Sequence, residues 1–284
     1  GTNISAATQV TVTGTITPGA NGYKLGGGGS STVASNSLLE IASALTGNNT
    51  LTAFPGGSLG NLTLSAANNF TGNTTVNQGI LRIGGNQIGG TIVTTNTTGD
   101  LGQSPQVQLT NAGSLLVFNR APTSAYTYSG KITGIGSVYV QGGTITLSGP
   151  NDFTGSFNYG GQSPSYGNTT VTAGSILKLG SVNAMSTGAV NFRLPNAAAY
   201  WENATGNPLT LNNSSYTFVS GGTASVLEYS GTQPLNTGSG TFTISNANGY
   251  LSVGAAAAPL TIGGTLSGTA TSVLIKGGGG TLIL

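Results

Sequence analysis

The sequence predicts an all-β fold in which short strands stack as successive coils of a β-solenoid. Three observations predict it. Short runs of alternating apolar and polar residues follow one another along the chain, and one strand–turn–strand unit recurs with its order intact. The composition agrees, because 49 of the 284 residues are Gly and only 4% are charged, against about 25% charged residues in an average globular domain. Gly permits the sharp corners that a coil needs.

The predicted strands have the period of two expected when one face is buried, because apolar residues alternate with Thr, Ser, Gln or Asn. Clear examples are residues 10–13, 62–65, 107–110, 137–140, 144–147, 209–212, 241–244 and 260–263. The turns between strands are short, which favours a solenoid over a sandwich or a propeller. No shift in composition divides the chain, so we predict one domain over residues 1–284.

Residues 37–45 form the one segment with helical periodicity. Apolar residues stand at positions 38, 41, 42 and 45. Ser37 and Glu40 have the spacing of a capping box, and Gly47 is placed to end a helix. The pattern predicts one short helix near the N-terminal end, lying against the strands. A strand with an irregular turn is the alternative.

The recurring unit first occupies residues 62–85, LTLSAANNFTGNTTVNQGILRIGG. A second copy begins at Ile145 as ITLSGPNDFTG and resumes as NTTVTAGSILKLG after inserted residues 158–167, which we expect to leave the coil at one corner. Arg82 and Lys178 take matching places in the two copies, which predicts equivalent outward positions. Coils of roughly 20–30 residues, each advancing about 4.8 Å, predict about ten to thirteen coils in a rod about 50–60 Å long.

These residues resemble the autotransporter-associated β-strand repeat, also called the passenger-associated transport repeat. The resemblance covers residues 62–85, the interrupted residues 145–180 and a half-unit, GGGGTLIL, within residues 276–284. It implies a right-handed parallel β-helix that is exported by a bacterium as part of a large surface protein. No protease triad or other passenger enzyme accompanies the repeat, so the chain is similar to the stalk of such a protein. It opens GTNISAATQV, and we expect a mature secreted chain or part of a longer one.

The residues that carry chemistry are few. The chain has no His and no Cys, which removes the usual nucleophile–base pairs, disulfides, and the common ligands of zinc and iron. Neither Gly run precedes the Gly-Lys-Ser/Thr of a phosphate loop. We therefore predict no enzyme activity, no cofactor and no metal. The best candidate for an active site is the pair Glu202 and Glu228, which are about one coil apart, with Arg193 nearby in the sequence. Sugar-cleaving enzymes use two converging carboxylates of this kind. Solvated charges or turn residues are the simpler interpretation.

The sequence also limits the partners. The seven basic residues are scattered, which argues against nucleic acid, and no apolar run approaches the ~20 residues of a transmembrane helix. Tyr159 and Tyr166 in the insertion are possible contacts to a surface polysaccharide, with corner packing as the alternative. Tyr139, between Val138 and Val140, is predicted to point outward.

The two end coils carry the functional prediction. A bare terminal coil exposes backbone N–H and C=O groups that can pair with another chain, and head-to-tail pairing that does not close gives a filament. We expect the contacts in residues 10–16 and 274–284. The residues proposed for them are Val10, Val12, Ile16, Leu274, Leu282 and Leu284. The prediction is a secreted or cell-surface structural subunit of a fibre, stalk or matrix that binds copies of itself. The alternative is an adhesin or carbohydrate-binding segment of a larger autotransporter-like protein.

Overall fold

A computed structural model describes residues 8–26, 37–57, 60–85, 87–88, 91–92, 96–163, 167–169, 172–194, 197–220, 225–245, 248–269 and 271–284. These residues contain 31 strands and no helix. Apart from two short hairpins, the strands of every sheet are parallel. The chain therefore coils as a three-sided parallel β-solenoid, which confirms the predicted fold class. Strands are numbered below in chain order.

Face A is one sheet of eleven strands, so the described chain makes eleven laps. Its strands are β1 (Thr8–Val12), β3 (Ser37–Ile41), β5 (Asn61–Leu64), β7 (Gly79–Gly84), β11 (Ser114–Asn119), β14 (Ser137–Gly142), β16 (Phe157–Tyr159), β20 (Ala189–Leu194), β23 (Ser215–Ser220), β26 (Thr241–Ile244) and β29 (Leu266–Gly268). Ten inter-strand spacings of about 4.8 Å make the solenoid roughly 48 Å long. The number of laps lies within the predicted range.

Faces B and C supply the remaining strands of the laps, although the first four laps have no described strand on face B. Face B is a seven-stranded sheet of β12 (Ala125–Tyr128), β15 (Thr144–Leu147), β19 (Ile176–Leu179), β21 (Ala198–Asn203), β24 (Val226–Tyr229), β27 (Asn248–Val253) and β30 (Val273–Gly277). Face C has an N-terminal sheet of β2 (Tyr23–Leu25), β4 (Leu51–Ala53), β6 (Thr74–Val76), β10 (Gln106–Leu109) and β13 (Lys131–Gly134), and a C-terminal sheet of β22 (Leu209–Thr210), β25 (Leu235–Asn236), β28 (Leu260–Thr261) and β31 (Leu282–Ile283). Both sheets of face C hold the place in the lap just before face A.

Two antiparallel hairpins leave the coil. One joins β8 (Gln87–Ile88) to β9 (Thr91–Ile92) after β7, and the other joins β17 (Gly161–Ser163) to β18 (Gly167–Thr169) after β16. The second hairpin overlaps the predicted insertion, residues 158–167, but Asn158 and Tyr159 belong to β16 of face A. It leaves the coil where face A ends, and the chain then resumes in face B, as predicted.

The core consists of side chains that stack in columns along the solenoid, because parallel strands in register place equivalent residues above one another. One column on face A contains Val10, Leu39, Leu62, Leu81, Leu116, Val138, Phe157, Val190, Tyr216, Phe242 and Leu266. One apolar cluster continues from Tyr23 to Ile262. The C-terminal half of the core is rich in aromatic side chains, and there Phe192 meets Trp201 edge to face at 5.3 Å.

The predicted helix is wrong. Residues Ser37–Ile41 form strand β3, which pairs with β1 on one side and with β5 on the other. Glu40 caps no helix, and its carboxylate instead accepts a hydrogen bond from Thr11 of the neighbouring strand at 3.3 Å. Two ladders of backbone hydrogen bonds outweigh the local helical pattern, because tertiary context overrides weak intrinsic propensity.

The two copies of the repeat unit lie on different faces. The first copy runs through β5 on face A, β6 on face C and β7 on face A, whereas the second runs through β15 on face B, β16 on face A and β19 on face B. The second copy is therefore rotated by one face. Arg82 and Lys178 both point outward, as predicted, but they lie on different faces and have different surroundings. Arg82 lies on face A, is 2% exposed and donates to Gln141 at 2.9 Å, while Lys178 lies on face B in an ion pair.

The first Asn of NNF and NDF makes the same contacts in both copies. The N–H of Leu45 in the preceding lap donates to Asn68 Oδ1 at 2.8 Å, and Asn68 Nδ2 donates to Asp100 O in the following lap at 2.7 Å. Asn151 likewise accepts from the N–H of Ile132 at 2.8 Å and donates to the following lap at 2.9 Å. Each amide therefore joins three successive laps.

The outer side of face A is covered in its N-terminal half. Tyr139 points outward as predicted, but it is only 8% exposed and packs with Ile80 and Val117 in a small cluster separate from the core. Strand β17 of the second hairpin lies against β14. Beyond β16 the outer residues of face A become polar and partly exposed, as at Thr217 and Thr243.

Candidate assembly surfaces at the ends of the solenoid

The N-terminal lap presents two edge strands, β1 on face A and β2 on face C. Among the described residues, β1 pairs only with β3 and β2 only with β4, so each has one side without a strand. Val10 is 43% exposed at the end of its column. Val12 and Ile16 are half-buried against the core. An open depression of about 290 Å³ lies along residues 16–25 beside them.

Among the described residues, the C-terminal lap presents three edge strands, β29, β30 and β31, one on each face. Leu274 and Leu282 are half-buried against the core, and Leu284 is 72% exposed. The sequence reasoning missed Leu266, Val273 and Ile283, which are also exposed in this lap. Leu266 could have been predicted from the sequence. It lies in a short strand that follows a pair of Gly residues, and the alternation of inward and outward side chains in that strand places Leu266 inward.

The two ends match on faces A and C. A copy stacked on the C-terminal lap in continued register would place β1 beside β29 and β2 beside β31. Val10 would then cover Leu266, and Tyr23 would cover Leu282, because these residues end the inward columns of their faces. Such stacking removes exposed apolar surface from water and pairs open backbone groups.

Face B does not match in this way. In the first lap residues 13–18 form no strand, so β30 has no counterpart at the N-terminal end. Lys276 in β30 is opposite Leu251, a fully buried core residue, and so takes the end of an inward column. Its ammonium group donates to the carbonyl of Gly278. A charge at the end of a core column disfavours further strand pairing, so the contact rests on faces A and C.

The carboxylates considered for catalysis do not converge with Arg193. Glu202 and Glu228 lie on neighbouring strands of face B, but Arg193 lies on β20 of face A. Glu202 forms an ion pair with Lys178 at 2.9 Å and accepts a hydrogen bond from Ser230 at 3.1 Å. Within the described residues no group of three or more His, Cys, Asp or Glu could hold a metal ion. No described helix is long and apolar enough to cross a membrane.

The tyrosines of the insertion have a different place from the one predicted. Tyr159 points into the core from β16, is fully buried, and its hydroxyl contacts the carbonyls of Ser175 and Tyr200 at 2.6 and 2.8 Å. Burial raises the pKa of Tyr159 above its ordinary value. Tyr159 is therefore a core residue and cannot contact a ligand. Tyr166 lies outside the described residues.

Comparisons with protein-family models, with curated proteins and with solved structures found no match to this chain. The resemblance to the autotransporter-associated repeat therefore stays a prediction.

Proposed function

We propose that this protein is a structural subunit of an extracellular or cell-surface fibre, stalk or matrix, and that copies stack head to tail through their end laps. The observation that carries the proposal is the match of the two ends on faces A and C. Stacking continues two of the three faces across the junction. Because the N-terminal end of one copy meets the C-terminal end of the next, the contact is heterologous and extends into a filament.

The charge distribution supports the same function. Lys24 and Lys276 are the charged residues of the first and last laps within the described chain, so stacking brings few charges together. Repulsion between two such exposed charges is largely screened beyond about 8 Å at physiological ionic strength. A surface with few charges also does little to keep copies apart.

Placement outside the cell is part of this proposal. It is supported by the resemblance of the repeat to exported bacterial stalks. A second candidate function is a carbohydrate-binding segment of a larger surface protein. It is favoured by the outer side of face B, where Tyr200 and Tyr250 are half-buried and not part of the core.

The end-stacking contact is tested by Leu266→Lys in the 284-residue chain. Leu266 is 41% exposed at the end of a face A column, and a buried ammonium there would be strongly unfavourable. We expect the unaltered chain to form rods longer than one copy, and Leu266→Lys to reduce their length and number at least tenfold. Sedimentation velocity and negative-stain electron microscopy measure both.

Ile135→Lys is the matched control, because Ile135 is 54% exposed but lies at a corner far from both ends. Rods of the Ile135→Lys variant should equal those of the unaltered chain in length and number. A chain that stays monomeric at high concentration, or equal loss of rods in both variants, would contradict end stacking.

A further inference from the structure

We propose that the outer side of face B binds the ammonium groups of an amino-sugar polysaccharide, at a site formed by Glu228, Tyr200 and Tyr250. The inference rests on the second candidate function, to which it gives a site and a ligand class. It does not depend on stacking of the end laps.

Glu228 differs from the other carboxylates of the chain. Partners are present for Glu40 (Thr11), Asp100 (the N–H groups of Asn68 and Gly102), Asp152 (Lys131) and Glu202 (Lys178 and Ser230). Glu228 has no hydrogen bond or ion pair within the described part of the chain, although it is half-buried on β24. A carboxylate that has lost part of its hydration without gaining a partner favours a positively charged ligand.

Two tyrosines flank this carboxylate on neighbouring strands. Tyr200 of β21 is directly opposite Glu228, and Tyr250 of β27 is opposite Val226, two residues before Glu228. Both tyrosines alternate with buried residues that point inward, so their rings belong to the outer side. Tyr faces attract cations through the ring quadrupole. All three side chains therefore favour the same kind of ligand.

The charge of the carboxylate is not compensated by the described side chains on the adjacent strands. Glu228 Oε1 lies beside Gly254, where an added Cβ would be 3.4 Å away, an ordinary contact distance. Lys178 and Glu202, on adjacent strands, neutralise one another at 2.9 Å. Among the described charged side chains of β19, β21 and β24, the net charge is therefore that of Glu228.

The spacing of the two tyrosines indicates an extended ligand. Strands β21 and β27 are separated by β24, which places them about 10 Å apart. A single small ammonium ion cannot contact both rings, whereas a polymer lying across the strands can. An amino sugar holds its ammonium group on a rigid ring whose flat face stacks on Tyr, so it loses less conformational entropy on binding than a lysine side chain.

The test uses three probes with the full chain: a β-1,4-linked glucosamine hexamer, the fully N-acetylated hexamer, and hexalysine. Isothermal titration calorimetry should show binding of the glucosamine hexamer that weakens with salt. Glu228→Gln should weaken it about tenfold, as expected for loss of one ionic contact beside two rings. Tyr200→Ala should have an effect of similar size. Asp152→Asn is the matched control, because it removes one carboxylate from a different face, and it should leave binding unchanged.

The results with the three probes distinguish an amino-sugar site from a general carbohydrate-binding segment and from the head-to-tail fibre. Equal binding of the N-acetylated hexamer, lost in Tyr200→Ala, would overturn recognition of the ammonium group but support a carbohydrate-binding segment. Equal or tighter binding of hexalysine through Glu228 would overturn the polysaccharide assignment. No binding of any probe to a chain with an unchanged melting temperature would overturn the site. None of these results changes the expected rods.

Discussion

Asn68 and Asn151 show how a single side chain joins the laps of this solenoid. Each amide accepts from a backbone N–H in one neighbouring lap and donates to a backbone carbonyl in the other. Both Asn side chains are at least 90% buried. Replacing an Asn by an apolar residue therefore leaves two buried backbone groups without partners, which is more costly than the loss of one exposed hydrogen bond.

We expect Asn151→Ala to lower the free energy of unfolding by roughly 2–4 kcal/mol, because it leaves the N–H of Ile132 and the carbonyl of Ala184 unsatisfied. Urea denaturation followed by circular dichroism measures the change. Asn69→Ala is the control, since Asn69 is an exposed neighbour of the equivalent residue Asn68, and its effect should stay within about 0.5 kcal/mol. Equal effects of the two substitutions would contradict the bridging role.

Gly72 and Gly155 end the FTG of the two copies and have a packing reason to be Gly. A Cβ on Gly72 would lie 2.5 Å from the carbonyl oxygen of Asn49, and one on Gly155 would lie 2.1 Å from that of Gly136. Neither has a positive φ, unlike the corner residue Gly134 at 102°. The repeat therefore keeps Gly here because successive laps approach closely, whereas the sequence reasoning expected Gly mainly for left-handed corners.

The edge strands of the two end laps differ in the side chains that end their inward columns. Strands β29 and β31 end in apolar columns, and β30 ends in Lys276. The first lap has strands on faces A and C but none on face B. The strand that carries the charge is thus the strand that lacks a counterpart, which concentrates the proposed contact on two faces.

We expect Lys276→Val to lower the concentration at which rods form by several-fold, because it replaces a charge by a β-branched residue at the end of an inward column. Light scattering over a concentration series measures this. Lys24→Val removes the same charge from the first lap at an outward position, opposite Thr52. It should change the threshold less. An equal effect of the two variants would indicate that net charge controls assembly.

At the scale of the whole molecule, the aromatic core makes stability sensitive to alkaline pH. Tyr159, Tyr216 and Tyr229 are fully buried, and burial raises the pKa of all three, that of Tyr229 to about 12. In the unfolded chain the tyrosine pKa is about 10. The folded state therefore keeps protons that the unfolded state releases, and this contribution to stability is complete below about pH 10 and is lost as the pH rises toward the folded-state pKa.

We expect the free energy of unfolding to fall by about 1.4 kcal/mol per pH unit for each buried tyrosine above pH ~10. Denaturation curves between pH 9 and 12, with tyrosinate absorbance as a second signal, measure it. Tyr229→Phe should reduce the slope of the free energy of unfolding against pH by the contribution of one proton, because Phe has no ionisable group. Ionisation of every tyrosine near pH 10 in the folded chain would show that these hydroxyls are accessible.

Most of the strands, the repeat, the parallel solenoid and the approximate number of laps are predictable from the sequence, because alternation of apolar residues and short turns are local properties. The sequence also located most of the apolar residues of the end laps. The tertiary structure decided which face each copy of the repeat occupies, and it replaced the expected helix at residues 37–45 by a strand with two partners. It also placed Tyr159 in the core and, among the described residues, shows no hydrogen bond or ion pair for Glu228. These results depend on contacts between residues about 15–40 positions apart, and no pattern within one strand specifies which lap will lie above it.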